Sequence, residues 1–386
     1  MAGAMTPADP IPVTGAWRPG DHPGRRQFTS VFDARPHVLE AGGRLEHVTV
    51  AYETWGALAP DGSNAVLVLH ALTGDSHAHG PAGPGHGQIG WWDDVVGPGK
   101  PIDTDRFFVV CPNVLGGCQG STGPASDDPE TGRPYGPRFP IITIRDQVVV
   151  EASLADTLGI ARWTAVIGGS MGGQRVLEWA VGFPERVRRA VVIACGATAT
   201  AEEIALCSLQ VRAIRADPRF RGGDYYDAEP GDGPWRGMAL ARGIGQVSYR
   251  SELEFDERFG RGHEGDEQPL DGGRYAVESY LEYHGEKLSY RFDANTYIVL
   301  SQAMNHHDVG RGRGGVAAAL GRVRADVWLA GISSDWLYPL RLQHELAALI
   351  PRASDVEVIQ SLAGHDGFLT EHEAVGKVIT RALADA

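Results

Sequence analysis

The chain has few cysteines, no long apolar run and a deficit of positive charge, and each scarcity excludes a class of protein. Its four cysteines in 386 residues include no C-x-x-C pair and are too few for a disulfide framework. No apolar run approaches the roughly 18 residues that a membrane span needs. The first residues lack the basic and apolar segments of a signal peptide.

Lys and Arg total 35 against 49 Asp and Glu, and the net charge of −14 disfavours binding to nucleic acid or anionic membranes. We therefore expect a cytoplasmic protein without such partners.

Apolar runs and helical patterns alternate along most of the chain. The runs at 65–70, 106–112, 164–167 and 190–194 predict strands buried on both faces, and the pattern returns at 325–330 and 356–359. Helical periodicity separates several of these runs, and a last helix is predicted over about 373–383. Before them, residues 37–56 predict a hairpin that turns at Gly42-Gly43. The alternation predicts an α/β fold with a mostly parallel sheet and helices on both faces.

The pattern changes after residue 199, where residues 201 to about 305 become mainly helical. The first 25 residues are rich in proline, glycine and charge, which is typical of a loose terminus. We therefore divide the chain into a flexible tail (1–25), the first part of an α/β core (26–198), a helical lid (199–309) and the second part of the core (310–386).

The sharpest local motif surrounds Ser170, in GGSMGG at 168–173. It matches G-x-S-x-G, in which the glycines let a strand and a helix approach closely around a strained turn. A predicted strand precedes the motif and a predicted helix follows it, as that turn requires. The N-terminal end of the helix would favour negative charge beside the serine. We therefore predict a nucleophile at Ser170, in preference to an idle serine in a glycine-rich turn.

A serine nucleophile needs a base, and α/β-hydrolases supply the triad in the chain order Ser, acid, His. Asp335 follows the predicted strand at 325–330, and His365 follows the strand at 356–359. Sites of open α/β sheets form at the carboxyl ends of strands. Order and position therefore favour Asp335 and His365 as the acid and the base over two solvated surface groups.

An oxyanion hole needs two backbone N–H groups. Met171, the residue after the nucleophile, is predicted to supply one. The other is expected from the loop that follows the strand at 65–70, where we favour Leu72 over its neighbour Ala71.

Three other motifs carry weaker signals. The glycine-rich stretch at 113–121 lacks the G-x-x-x-x-G-K-[ST] pattern of a P-loop. MNHHD at 304–308 contains potential ligands, but no partner set with ligand spacing accompanies it, so we expect no metal. Cys118 and Cys195 fall near the predicted site, where we expect buried, inert thiols.

Beyond these motifs, the chain resembles the homoserine O-acyltransferase family, most closely its acetyl-transferring members. The resemblance extends over about residues 38–380. It is carried by seven stretches: HALTGDSH (70–77), NVLGGCQGSTGP (113–124), GPRFPIITIRDQV (136–148), GGSMGGQRVLEWA (168–180), ADPRFRGGDYY (216–226), SDWLYPLRLQ (334–343) and GHDGFLTE (364–371).

The resemblance implies an α/β-hydrolase core with a helical lid and the same Ser-Asp-His triad. It implies a homodimer formed through the lids, as is usual in the family. It further implies that Asp366 binds the amino group of homoserine and that Arg242 binds the carboxylate. Tyr249, seven residues after the arginine, is implied as a second polar contact. A carboxylate and a guanidinium suit the two charged groups of an amino acid.

The resemblance also implies a ping-pong reaction without a cofactor. Ser170 would take the acetyl group of acetyl-CoA, while His365 accepts its proton and Asp335 holds the imidazole. L-homoserine would then receive the acetyl group, giving O-acetyl-L-homoserine for methionine biosynthesis. The lid would exclude water from the acyl-enzyme.

Several alternatives stay open. Succinyl-CoA could replace acetyl-CoA, and L-serine could replace L-homoserine, because one methylene is worth only about 1–3 kcal/mol in a pocket. A carboxylesterase or thioesterase would use the same triad, and a noncatalytic protein could share the fold. RGR at 311–313 is a candidate for binding the CoA phosphates, although the stretch also suits an exposed, solvated loop.

Overall fold

The computed structural model describes residues 10–384 and is built around an eight-stranded sheet. The strands are β1 (Gln27–Val31), β2 (Val48–Trp55), β3 (Ala65–Leu69), β4 (Phe108–Pro112), β5 (Ala165–Gly169), β6 (Arg189–Ile193), β7 (Asp326–Ile332) and β8 (Ala353–Ile359). In space they follow the order β1-β2-β4-β3-β5-β6-β7-β8. Both β1 and β4 are antiparallel to β2, and all other neighbours are parallel.

The helices lie mainly between and after the parallel strands. Within the described residues, none of them has the length and apolar character that crossing a lipid bilayer requires. They are α1 (Ile144–Thr157), α2 (Met171–Gly182), α3 (Ala201–Ala216), α4 (Trp235–Tyr249), α5 (Glu252–Arg258), α6 (Ala276–Ser289), α7 (Ala294–Asn305), α8 (Val316–Leu320), α9 (Leu340–Leu349), α10 (Gly367–Thr370) and α11 (His372–Leu383).

Within residues 10–384, three short strand pairs lie apart from the main sheet. The predicted hairpin pairs His37–Val38 with Arg44–Leu45, and its turn at Gly42-Gly43 uses the positive φ angles that glycine adopts readily. The other pairs join Val96–Gly97 to Ile102–Asp103 and Asp127–Asp128 to Arg133–Pro134.

Apolar side chains cover both faces of the sheet. Along β3, Leu67 and Leu69 enter one core while Val66 and Val68 enter the other, because successive strand residues point to opposite faces. The first core also contains residues of α1, α2 and α9, and the second contains residues of α11. This two-sided burial explains why the central strands read as unbroken apolar runs, and it confirms the predicted α/β arrangement.

The helices α3–α7 lie between β6 and β7 in sequence, within the range expected to be helical. A third apolar cluster joins them to the core. It combines Ile214 of α3, Met238 of α4 and Leu288 of α6 with two core residues, Leu72 and Met171. The helical segment therefore packs directly over the carboxyl ends of β3 and β5.

The sequence predicts a flexible tail over residues 1–25, and the structure differs for part of it. Residues 1–9 lie outside the described residues. Further along, the Gly15 N–H donates to the Phe292 carbonyl (3.0 Å) and the Trp17 N–H to the Cys118 carbonyl (2.9 Å). The Thr14 hydroxyl donates to Asp293 at 2.9 Å. This stretch is therefore fixed against distant parts of the chain, which its local composition could not indicate.

Candidate active site

Ser170 occupies a sharp turn between the end of β5 and the start of α2. Its φ of 56° and ψ of −129° are unusual for a residue with a side chain, and its exposed fraction is only 6%. A Cβ atom on Gly172 would lie 2.1 Å from the Leu69 carbonyl oxygen, and one on Gly168 would lie 2.7 Å from the backbone of Gly172. The flanking glycines are thus required by close backbone packing, as the sequence motif predicts.

The loops after β7 and β8 bring Asp335 and His365 to this serine. The Ser170 hydroxyl donates to Nε2 of His365 at 2.8 Å, and Nδ1–H of His365 donates to Oδ2 of Asp335 at 2.7 Å. The other carboxylate oxygen of Asp335 accepts the Tyr338 N–H at 2.8 Å. All three side chains of the predicted triad are buried and linked in one hydrogen-bonded line. This geometry suits a hydroxyl nucleophile with an oriented base.

The environment of His365 favours its charged form. Burial alone would lower the pKa of the imidazole, but the charge of Asp335 and its hydrogen bond outweigh burial, and the pKa is raised. The Tyr338 ring stacks on the imidazole with centroids 4.9 Å apart. His365 is therefore held in one orientation, with an imidazolium stabilised once it takes a proton. The sequence analysis did not single out Tyr338, although it lies only three residues after Asp335.

Met171 and Leu72 both lie beside the nucleophile, in the cluster that joins the core to the helical segment. Met171 is the first residue of α2, and the first N–H groups of a helix have no partner within it. Leu72 follows β3, and none of the hydrogen bonds between described residues uses its N–H. Both backbone groups remain available to an oxyanion, while the role itself stays a prediction.

A buried network fixes the loop that carries Leu72. His70 Nδ1–H donates to the Ala71 carbonyl at 2.8 Å, and Nε2 of His70 accepts the Val114 N–H at 3.1 Å. Burial lowers the pKa of His70 to about 3, so the ring stays neutral and can accept that hydrogen bond. The Arg175 guanidinium also donates to the His70 carbonyl oxygen.

Arg175 is itself held by a buried acidic partner. Its Nη1 lies 2.7 Å from Oε1 of Glu151, and Oε2 of Glu151 accepts the indole N–H of Trp179 at 2.8 Å. Arg175 and Trp179 are four residues apart on α2 and so share one face of that helix. The Arg175–Glu151 pair was not predicted from the sequence, since the two residues lie on different helices and no local pattern joins them.

One cavity contains Ser170 and His365 together with the three residues implied by the resemblance. Arg242 is half-buried there, with its guanidinium carbon 5.3 Å from the centroid of the Tyr249 ring. Among the described residues, no carboxylate lies within ion-pair distance of Arg242. Asp366 lines the same cavity and is ion-paired with Arg250. The cavity therefore presents the cation of Arg242 and the carboxylate of Asp366 beside the buried hydroxyl.

Two further cavity residues escaped the sequence analysis. Glu203 is 4% exposed, and burial raises its pKa to about 7. It lies four residues before Cys207, and burial raises the pKa of that thiol to about 12. Cys207 therefore stays protonated at neutral pH and does not compete with the serine as a nucleophile. Cys118 and Cys195 are likewise free and buried.

The candidate CoA-phosphate stretch is partly exposed, but its two arginines are already paired with carboxylates. Arg311 Nη2 lies 2.9 Å from Glu40, and Arg313 is ion-paired with Glu178. Both guanidinium groups already have carboxylate partners, so this candidate is withdrawn. The partners are distant in sequence, which is why the local pattern looked like a free basic loop.

A cluster of potential metal ligands lies outside the stretch at 304–308 that was considered from the sequence. Glu53, His77 and His86 each offer one ligand atom, and these atoms lie within 4.8 Å of one another. They are largely committed to each other, because His77 Nδ1–H donates to Glu53 at 2.9 Å. His86 Nε2 accepts the Arg25 N–H at 3.0 Å. Hydrogen bonds therefore hold His77 against Glu53 and orient the His86 ring.

Comparisons with known proteins agree with this geometry. The family model of the alpha/beta hydrolase fold matches residues 64–372. The homoserine O-acetyltransferase of Thermobifida fusca is 59% identical over 384 residues, covering 100% of each chain. A solved homoserine O-acetyltransferase from Bacillus anthracis superposes with a TM-score of 0.84 at 28% identity, covering 93% of this chain and 97% of that one.

A solved acetylester hydrolase from Corynebacterium glutamicum is also similar, with a TM-score of 0.80 and 29% identity over 94% of this chain and 97% of that one. Fold similarity alone therefore does not separate a transferase from a hydrolase. The full-length relatives decide the family. This chain has the alpha/beta hydrolase fold and belongs to the homoserine O-acetyltransferase family.

Proposed function

We propose that this chain transfers an acetyl group from acetyl-CoA to the hydroxyl of L-homoserine, giving O-acetyl-L-homoserine. One observation carries the proposal: the buried Ser170–His365–Asp335 line opens into a cavity that also holds a cation, Arg242, and a carboxylate, Asp366. An amino acid with a free hydroxyl matches all three features. The names of the full-length relatives support the same acceptor and the same acyl group.

In the first half-reaction, Ser170 Oγ attacks the thioester carbonyl while Nε2 of His365 takes the serine proton. The N–H groups of Met171 and Leu72 stabilise the oxyanion of the tetrahedral intermediate. The carbon–sulfur bond then breaks, and His365 returns the proton to the sulfur as CoA leaves. Asp335 orients the imidazole and stabilises its charged form throughout. The product of this half is an acetyl ester on Ser170.

In the second half-reaction, homoserine enters with its carboxylate toward Arg242 and Tyr249 and its ammonium toward Asp366. A guanidinium suits the carboxylate because it can donate two parallel hydrogen bonds. This orientation places the substrate hydroxyl at His365, which takes its proton as the oxygen attacks the acetyl-serine. Collapse of the second intermediate releases O-acetylhomoserine and returns the proton to Ser170.

Water is the competing nucleophile, and the similarity to an acetylester hydrolase makes hydrolysis the second candidate function. The pair Arg242 and Asp366 favours transfer, since an esterase has no need of separate groups for an ammonium and a carboxylate. We treat residues 199–309 as a lid that excludes bulk water from the acyl-enzyme. The packing of its helices over Leu72 and Met171 supports that treatment.

We also propose a cytoplasmic enzyme of methionine biosynthesis that forms a homodimer through its lids. The support for the interface is a set of exposed apolar side chains on α3 and α4: Ile204, Leu209, Leu240 and Val247. Such exposure is typical of association surfaces. Light scattering should give a dimer mass for the purified chain, and Leu240→Glu should shift it toward the monomer. A monomer mass at micromolar concentration would contradict the proposed homodimer.

The function is tested by following CoA release and product mass with acetyl-CoA or succinyl-CoA against L-homoserine or L-serine. We expect release that depends on the acceptor and is fastest with acetyl-CoA and L-homoserine. Ser170→Ala should abolish it. Acceptor-independent release would indicate a thioesterase, and release unaffected by the serine substitution would refute the mechanism.

A further inference from the structure

A second cavity, of about 370 Å³, adjoins the active-site cavity. The two share Thr73, the residue that follows Leu72. Three cationic side chains line the second cavity, Arg26, Lys287 and Arg291, and Asp75 is the only acidic residue among its described lining. In a chain with a net charge of −14, such an excess of positive charge marks a place suited to an anion.

Lys287 differs from the other lysines of the chain. The sequence contains three, and two of them have carboxylate partners: Lys100 Nζ lies 3.2 Å from Asp93, and Lys377 Nζ lies 2.7 Å from Glu373. Lys287 makes no ion pair with any described residue, and its Nζ lies 5.9 Å from the centroid of the Tyr283 ring. Burial, together with Arg291 and Arg242, lowers the pKa of its ammonium. A bound anion would offset both the burial of this ammonium and its repulsion by the two arginines.

The other two cations of the second cavity, Arg291 and Arg26, are held in place by hydrogen bonds. Arg291 is half-buried and donates to the Thr73 carbonyl at 2.7 Å, so it connects the second cavity to the loop beside the nucleophile. Arg26 is 6% exposed and donates to the Gly85 carbonyl at 2.8 Å and to Gln119 at 3.0 Å. Both arginines make these hydrogen bonds to neutral groups, and despite burial their charges hold the pKa of Asp75 below its usual range. Three cations thus share one carboxylate in the described lining, so the cavity keeps an excess of positive charge that suits an anionic ligand.

The rim of the cavity is apolar and aromatic. Ile89 is 61% exposed and Tyr283 is 49% exposed, although both are large side chains. Rings and aliphatic side chains beside cations suit a ligand that joins a flat heterocycle to phosphate groups, because the heterocycle can stack while the phosphates pair. A nucleotide has this combination, and the CoA thioester of the proposed reaction contains one.

We propose that the second cavity binds the phosphorylated nucleotide of the acyl-CoA donor, with Lys287 as a direct phosphate partner and Thr73 at the passage of the thioester arm toward Ser170. This inference rests on the proposed function for the identity of the donor. It assigns the phosphates to the cavity around Lys287 in place of the ion-paired stretch at 311–313.

The first test compares two donors that share one thioester arm: acetyl-CoA, and acetyl-pantetheine, which lacks the nucleotide and its phosphates. Lys287→Met keeps the length of the side chain and removes its charge, and Lys377→Met is the matched control at an exposed position of α11. We expect Lys287→Met to raise KM for acetyl-CoA roughly tenfold or more, the size of one lost charge-assisted hydrogen bond, with kcat nearly unchanged. Constants for acetyl-pantetheine should stay the same in both variants.

The second test measures binding without turnover. Calorimetric titration of adenosine 3′,5′-bisphosphate into the wild-type protein should give a signal that weakens at least several-fold in Lys287→Met and is unchanged in Lys377→Met. Absence of binding to wild type, or equal binding to both variants, would overturn the inference. An equal rise of KM for acetyl-CoA and for acetyl-pantetheine in Lys287→Met would also overturn it. If wild type binds the nucleotide but acetylates no acceptor, the proposed function fails and the nucleotide site stands.

Discussion

Nε of Arg250 lies 3.1 Å from Oδ2 of Asp366, so the carboxylate next to His365 enters the cavity already paired with a cation. Arg250 is in turn 3.1 Å from Glu254, on the helix that follows. The guanidinium thus links two carboxylates and fixes one oxygen of Asp366. The carboxylate is thereby held in position at the cavity wall, which is what orienting a substrate ammonium requires.

Asp366→Asn should therefore separate the two half-reactions. We expect KM for homoserine to rise about 10- to 100-fold, since a hydrogen bond between charged groups is lost. The burst of CoA from acetyl-CoA alone should change little, because the donor makes no use of this carboxylate. Rapid-quench and steady-state kinetics measure the two effects. Asp355→Asn, at an exposed position, is the control. An equal loss in both half-reactions would contradict the assignment.

The rate should depend on the protonation of His365. The imidazole must be neutral to take the serine proton, and Asp335 raises its pKa above the ordinary value of 6.5 despite burial. The acylation rate should therefore fall as the pH drops through a midpoint above 6.5 and stay level at higher pH. Asp335→Asn should lower both the midpoint and the rate, the latter by about 10⁴-fold. A midpoint unmoved by this substitution would show that another group titrates.

Glu203 should make stability depend on pH. Burial raises its pKa to about 7 from 4.5, so its contribution to stability is complete below pH 4.5 and is lost as the pH rises through 7. The difference of about 2.5 between these two pKa values corresponds to at most about 3 kcal/mol in the free energy of unfolding. Urea unfolding at pH 5 and pH 8 should show this loss in wild type and a much smaller one in Glu203→Gln. Identical pH dependence in the two proteins would exclude the effect.

Two glycine-to-alanine substitutions test the packing of the nucleophile turn. A Cβ on Gly172 would lie 2.1 Å from the Leu69 carbonyl oxygen, whereas one on Gly243, within α4, would meet no atom within 4 Å. We expect Gly172→Ala to lower the thermal midpoint strongly or prevent folding. Gly243→Ala should be neutral or stabilise by up to about 1 kcal/mol, through helix propensity. Similar midpoints for both variants would mean that the turn tolerates a side chain.

Local sequence patterns predicted the central strands closely because each is buried on both faces. Residues 65–70 and 190–194 were expected as strands, and the structure has Ala65–Leu69 and Arg189–Ile193. The helix predicted to follow the serine motif begins at Met171, since the tight turn at Ser170 starts it directly. The geometry of the Ser170, Asp335 and His365 side chains matches the predicted chain order.

Long-range contacts were beyond local patterns. The pairs Arg250–Asp366, Arg311–Glu40 and Arg313–Glu178 join residues more than 100 positions apart, so the sequence showed charges without their partners. That Lys287 has no ion-pair partner among residues 10–384 is equally a property of the folded chain.

The most direct measurement of the central claim is the mass of the enzyme during turnover. After mixing with acetyl-CoA alone and quenching in acid, intact mass spectrometry should show one added acetyl group, and peptide mapping should place it on Ser170. Adding L-homoserine before the quench should clear that mass far faster than buffer does, with O-acetylhomoserine formed in equal amount. No acetylated enzyme, acetylation at another residue, or clearance at the same rate with and without homoserine would contradict the ping-pong transfer proposed here.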